Sequence, residues 1–324
     1  MKTGRFVLDS EESVQPLPSV QKLVERWLGR DVDPVTASGY RFKIAHFVAW
    51  YAGREELRPS DLVAFVAHLR ESGQTDANIY QILLRTKQFF RWLHTTGITP
   101  DFDISRWFPV VRVERQIRVP APLDALSRLM FAAAHSTYPE RNQAIIATML
   151  GAGIRRNECA SLCVEDITID AGDSGMLVVR KAKRVKGRAV HQRAVAFDGA
   201  TGKYLRVWLD KLDVRSGPLW PSYSFMSDEH DALTAQGIYK VVNACIEAAG
   251  LVGVITGCHD LRRLFITYFR RNLRGEAHDK LLRLQVGHLD KATTDLYDLS
   301  GVEDMKEVII SPLALLNEYG IQLK

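Results

Sequence analysis

Two histidines, an arginine and a tyrosine lie close together near the end of this sequence. In HDLRRLF (His259 to Phe265) an arginine, Arg262, follows His259 by three residues. In GHLDKATTDLY (Gly287 to Tyr297) a tyrosine, Tyr297, follows His288 by nine. These are groups that hold a phosphate and attack it. A guanidinium offers parallel hydrogen bonds to two phosphate oxygens, imidazoles exchange protons near neutral pH, and a deprotonated phenol is a nucleophile. Singly, each has an ordinary structural reading: His259 caps a helix, Arg262 pairs with a surface acid, Tyr297 fills a core. Their joint occurrence favours phosphoryl transfer.

The elements that would position them follow from apolar spacing. A helix over 259–271 puts His259 and Arg262 on one face with Ile266 and Phe269, while Leu261, Leu264, Phe265 and Tyr268 anchor the others. Gly287 ends a helix carrying Leu281, Leu282 and Leu284, which leaves His288 on the turn beyond it. Thr293 can cap a short last helix bearing Tyr297. Two earlier fragments belong to the same chemistry. In GAGIRRNECASL, Gly151 and Gly153 break a buried helix over 140–149, and Arg155 stands where the next helix starts. Met176 to Val179 reads as a strand, with a tight turn near Val185 to Gly187 and a returning strand. From Arg180 to Arg193 there are seven Lys or Arg and no acid. Like charges across a hairpin repel, and a polyanion beside it would relieve that repulsion.

The chain has 324 residues, enough for two domains, with 46% hydrophobic and 25% charged residues, ordinary for a globular protein. Its net charge of +5 suits a nucleic-acid partner without proving one. The four cysteines Cys159, Cys163, Cys245 and Cys258 form no CxxC pair, so buried free thiols are expected rather than a zinc site. Cys159 and Cys163 are spaced as on one helix. The first residues lack an apolar signal region and no window is long enough to span a membrane, so a cytoplasmic location without membrane attachment is expected.

Residues 1–18 read as a polar tail. Four amphipathic helices over 19–97 form an all-α domain whose outer faces carry Arg41, Lys43, Arg85, Lys87 and Arg91. Alone these are a solvated charged face; beside the second half they become a DNA-gripping one. Residues 98–121, with Pro100, Pro109 and Pro120 and with Arg112, Arg115 and Arg118, read as a basic linker crossing a phosphate backbone. Residues 122–324 are mixed, mostly helical with a small sheet, ending in an apolar tail from about 301 with Leu313, Leu315 and Leu316 after Pro312. That tail can dock on a neighbouring protomer or cover its own core.

These motifs together resemble the tyrosine recombinase (phage-integrase) family. GIRRNECASLCVEDI is similar to the family's first arginine box at Arg155, Glu158, Asp166 and Ile167. AKRVKGRAV resembles its β-hairpin box, selecting Lys183 as the catalytic lysine with Lys186 and Arg188 behind it. Lys181 points to the same strand face and remains the alternative. HDLRR matches the His-x-x-Arg box and GHLDKATTDLY the box that ends in the nucleophile. Departures are Leu264, Ile266, His191, and Leu289-Asp290-Lys291 between His288 and Thr293; none removes a catalytic group.

The resemblance implies a mainly α fold with a small β-sheet, in which a core-binding domain and a catalytic domain form a C-shaped clamp on double-stranded DNA. It implies six catalytic residues, Arg155, Lys183, His259, Arg262, His288 and Tyr297. Lys181, Lys186 and Arg188 would join Arg41, Lys43, Arg85, Lys87, Arg91, Arg112, Arg115 and Arg118 in contacting DNA. The implied reaction is site-specific recombination through a 3′-phosphotyrosine and a Holliday junction, in a homotetramer, with neither metal nor ATP. In architecture the chain is similar to the simple, Xer-like recombinases of the chromosome-dimer-resolving type. Two rivals are a type IB topoisomerase, which would relax plasmids without a cognate site, and a non-catalytic DNA-binding regulator, which would form no covalent adduct.

Overall fold

The computed structural model describes residues 19–30, 32, 34–54, 57–99, 103–114, 119–180, 192–223, 231–273, 275–287 and 300–318. Two compact units divide the chain, Met1–Ile117 and Arg118–Lys324.

The first unit is built from α1 (Val20–Leu28), α2 (Pro34–Tyr51), α3 (Pro59–Glu71) and α4 (Asp76–Thr95). Local chemistry sets the helix starts. The Ser19 hydroxyl accepts the Lys22 N–H, the Thr75 hydroxyl accepts the Asn78 N–H, and Pro59 opens α3 where its missing N–H costs nothing. The apolar residues recurring every three or four positions meet in an aromatic core. Trp27, Phe47, Phe65, Phe89 and Phe90 are fully buried, and Phe47 stands edge-on to Phe65 (5.4 Å) and Phe90 (5.3 Å). Phe47→Ala should therefore destabilise this unit by about 3–5 kcal/mol, seen as a lower urea midpoint by tryptophan fluorescence.

The segment expected to be a linker, 98–121, divides between the units. A 3-10 turn, Ile104–Arg106, is held by Asp103, whose carboxylate accepts the Ser105 N–H. Ile104, Phe108 and Val111 lie in the first unit's core, whereas Ala121 lies in the second's. The prolines abolish any period, so these apolar residues give no pattern to read in sequence.

The second unit contains α5 (Leu123–Ala134), α6 (Pro139–Ala152), α7 (Arg156–Ala160), β1 (Ile167–Ile169), β2 (Gly175–Val179), β3 (Arg193–Phe197), α8 (Gly199–Leu212) and α9 (Ala235–Ala248). It continues with α10 (Cys258–Asn272), α11 (Glu276–Val286), α12 (Ser300–Val308) and α13 (Pro312–Glu318). The sheet is antiparallel in the order β1-β2-β3, with Val179 opposite Arg193. Helix α6 is buried on nearly every side and packs against α5, α8 and α10. It does not stop at Gly151. A Cβ there would sit 1.8 Å from the Thr201 hydroxyl oxygen, so this glycine admits α8 rather than ending α6. The end falls at Gly153, whose φ of 62° is left-handed and whose missing Cβ makes room for the Phe265 ring.

None of the four cysteines is in a disulfide. Cys159, Cys245 and Cys258 are buried and Cys163 half-buried. Burial pushes the Cys245 and Cys258 thiols up to about 11 and that of Cys159 higher still. Cys159 and Cys163 do not share a helix as their spacing suggested. Helix α7 ends at Ala160, and Cys163 precedes a separate 3-10 turn, Val164–Asp166. After Pro312 the tail covers its own unit, with Leu313, Leu315 and Leu316 buried in that core and the Ser311 N–H donating to Asp198 Oδ2 at 2.7 Å.

Candidate active site at the end of helix α11

Helix α11 ends on Gly287, at φ 63°. The last carbonyls of a helix have no partner within it, and they carry the negative end of its dipole. Three arginines from three other elements take up three consecutive ones. From β3, Arg193 Nε donates to Gln285 O at 3.3 Å; from α10, Arg262 Nη2 donates to Val286 O; from the loop before α7, Arg155 Nη2 donates to Gly287 O at 3.1 Å. The next residue in the chain is His288.

Arg262 is 2% exposed, and its Nη1 also donates to Gly153 O at 2.7 Å. It thus fastens the loop carrying Arg155 to the end of α11. Burial first, and the neighbouring Arg155 charge second, lower its pKa to about 10, which leaves it a cation at neutral pH. Gln285 adds a second tie. Its side chain donates to Ala152 O and Ala196 O and accepts the Ala196 N–H, binding α11 to β3 and to the end of α6.

Beneath Arg155 lies Glu158, 2% exposed. Its carboxylate accepts the Arg155 N–H (2.8 Å) and Arg155 Nη1 (2.8 Å), and both Nη groups of Arg193 (2.9 and 2.8 Å). Burial alone would raise the pKa of Glu158, but Arg193 first and Arg155 second hold it down to about 2. A carboxylate depressed from 4.5 contributes stability that is complete above pH ~4.5 and is lost as pH falls toward ~2, about 3 kcal/mol in all. Acid unfolding should accordingly steepen below pH 4.5, and Glu158→Gln should flatten that limb.

His259, in the first turn of α10, keeps its ring at the surface. Partial burial, and then the Arg262 charge, lower its pKa, so the imidazole is neutral at pH 7 and can accept a proton. Arg262 is turned into the core instead, although the two sit three residues apart on α10.

The structure thus brings Arg155, His259 and Arg262 together. Lys183, His288 and Tyr297 lie outside the described residues, as do Lys181, Lys186, Arg188, Arg115 and Arg118. Arg41, Lys43, Arg85, Lys87, Arg91 and Arg112 all belong to the first unit. There Arg41 pairs with Glu25, Lys43 bonds Asn78, Arg85 stacks on Tyr40, Lys87 is half-buried, and Arg91 and Arg112 are exposed. The basic run also needs correcting at its ends. Arg180 pairs with Asp166 and Arg193 with Glu158, so both cations at the base of the hairpin have internal carboxylates and need no polyanion.

Arg193 is the residue that sequence reasoning missed. The available signal was strand parity, since Arg193 shares a strand face with Val195 and Phe197 and is buried with them. Among the described residues no group of His, Cys, Asp or Glu could hold a metal ion, and no helix is long and apolar enough to cross a membrane.

Clustered arginines at a helix end with a neutral histidine beside them can hold a phosphate, in line with the resemblance to the tyrosine recombinases, which transfer DNA strands. The phage integrase family model matches residues 122–301, more than half of the sequence. The chain belongs to that family. It is 23% identical over 281 residues to tyrosine recombinase XerD of Oceanobacillus iheyensis, covering 83% of this chain and 88% of the relative. Among solved structures it is similar in fold to a lambda integrase tetramer bound to a Holliday junction (TM-score 0.63, 15% identity, 86% of this chain and 80% of that one). A XerH site-specific recombinase bound to difH substrate is also similar in fold (TM-score 0.59, 18% identity, 90% and 84%).

Proposed function

We propose that the protein is a site-specific recombinase that cuts and rejoins double-stranded DNA through a covalent 3′-phosphotyrosine. The observation that carries this reading is the convergence of Arg155 and Arg262 on the Val286 and Gly287 carbonyls, immediately before His288. In-line attack by the Tyr297 oxygen on the scissile phosphorus forms a P–O bond and breaks the bond to O5′. Arg155, partly exposed, and Arg262, once a nitrogen turns from its Gly153 or Val286 carbonyl, hydrogen-bond the non-bridging oxygens, where charge develops. Neutral His259 accepts the tyrosine proton, and Lys183, or Lys181 in its place, gives a proton to O5′. His288 hydrogen-bonds the phosphate and orients the nucleophile. The phosphotyrosine conserves the energy of the broken bond, so religation to a second strand's 5′-hydroxyl needs neither ATP nor metal.

The reaction would take place in the cytoplasm, in a tetramer on two sites, passing through a Holliday junction. Neighbouring protomers could be linked by exchange of the α13 leucines between units. The remaining basic candidates, Arg41, Lys43, Arg85, Lys87, Arg91, Arg112, Arg115, Arg118, Lys186 and Arg188, would contact phosphates, giving affinity that falls steeply with salt.

The test takes the duplex sequence recovered by the full chain from a randomised pool and builds it into a nicked suicide substrate, from which the short fragment bearing the new 5′-hydroxyl diffuses away after cleavage. The wild type should form a denaturation-resistant adduct, and Tyr297→Phe should bind the duplex without forming one. An adduct in Tyr297→Phe, or none in the wild type, would sink the proposal. Site-independent plasmid relaxation by a monomer would indicate topoisomerase activity instead.

A further inference from the structure

We propose that Arg193 is a positioning residue that takes up the charge of Glu158 and so keeps the Arg155 guanidinium available to DNA. The inference rests on the reading of Arg155 as a phosphate-binding group. One buried carboxylate stands here between two guanidiniums. Arg193 is buried and gives both of its Nη groups to Glu158, one to each oxygen. Arg155 gives the carboxylate only Nη1, turns Nη2 to Gly287 O, and leaves 31% of its side chain exposed. The arrangement is asymmetric: Arg193 is spent inside the protein, and Arg155 pairs with the carboxylate through one nitrogen while part of its side chain faces solvent.

Buried carboxylates keep their charge only when paired. Without Arg193, Glu158 has one cation within reach, and Arg155 would close on it through both nitrogens. The same carboxylate would then compete with the scissile phosphate for that guanidinium. Arg193 also packs over the end of α11, since a Cβ on Gly287 would lie 3.1 Å from its Cζ. Through Glu158 it holds Arg155 from below, and its Nε bonds Gln285 O, two residues before the carbonyl that Arg155 touches.

A double-mutant cycle separates this role from plain structural support. The readout is the rate of covalent adduct formation by the full chain on the selected suicide duplex at saturating protein, with folding checked by thermal melting. With Glu158 present, Arg193→Gln should slow adduct formation about 100-fold, the scale of losing one preorganised donor. With the carboxylate neutralised, Arg193 should become dispensable, so that E158Q/R193Q reacts within about threefold of E158Q. Should Arg193→Gln alone fail to fold, the comparison of E158Q with E158Q/R193Q still decides. A wild-type rate in Arg193→Gln, or a tenfold or greater gap between E158Q and the double variant, overturns the inference. A wild type that forms no adduct fails the strand-transfer reading itself, a result distinct from either.

Discussion

Arg262→Gln is expected to slow covalent adduct formation about 1,000-fold and to lower folding stability by about 3–5 kcal/mol together. Both effects arise from one side chain with two duties. Its Nη1 and Nη2 hold Gly153 O and Val286 O, two carbonyls on segments far apart in sequence, and the residue is almost wholly buried. A glutamine is too short to span both, so at least one buried carbonyl loses a charge-assisted partner. The loop carrying Arg155 and the helix end preceding His288 would then be free to move apart. A misplacement of an ångström at a reacting phosphate can cost a hundredfold by itself, and the lost cation adds to that. Urea denaturation and single-turnover cleavage on the suicide duplex measure the two effects separately. Unchanged stability beside lost cleavage would mean that the carbonyl contacts are incidental; unchanged cleavage would remove Arg262 from the reaction.

The reach of sequence reasoning here followed the range of the interactions. The end of α11 was legible because its cause is local: Gly287 turns left-handed there. Helix α10 fell where apolar spacing put it, to within a residue at either end. The order of the boxes carried the family and, with it, Arg155, His259 and Arg262 as neighbours. What escaped was the set of contacts that close over a hundred residues or more, such as Arg155 to Gly287 and Arg262 to Gly153. Burial also hid roles in plain view. Arg193 looked like one more cation in a basic run, and Gly151 looked like a helix breaker. Each takes its meaning from a partner, Glu158 or Thr201, that no periodicity reveals. Likewise Ile104, Phe108 and Val111 looked like linker because their burial depends on a core they follow by irregular steps.

Arg155→Lys should produce the complementary result, about 100-fold slower adduct formation with stability changed by no more than about 1 kcal/mol. Unlike Arg262, Arg155 is partly open to solvent, and its carboxylate neighbour keeps Arg193 as a partner when the guanidinium goes. The backbone N–H of residue 155 still donates to Glu158, so the start of α7 survives. A lysine keeps the charge but cannot reach Glu158, Gly287 O and a phosphate oxygen at once, because a single ammonium lacks the planar fork. Since the charge persists, affinity for the duplex and its dependence on salt should barely change. The loss should therefore appear in the rate at saturating DNA, not in binding. If the Arg155→Lys protein instead bound DNA poorly and cleaved at the wild-type rate once saturated, Arg155 would be serving the ground state alone. The oxygens that gain charge during the reaction would then have to be served by Arg262 and the histidines.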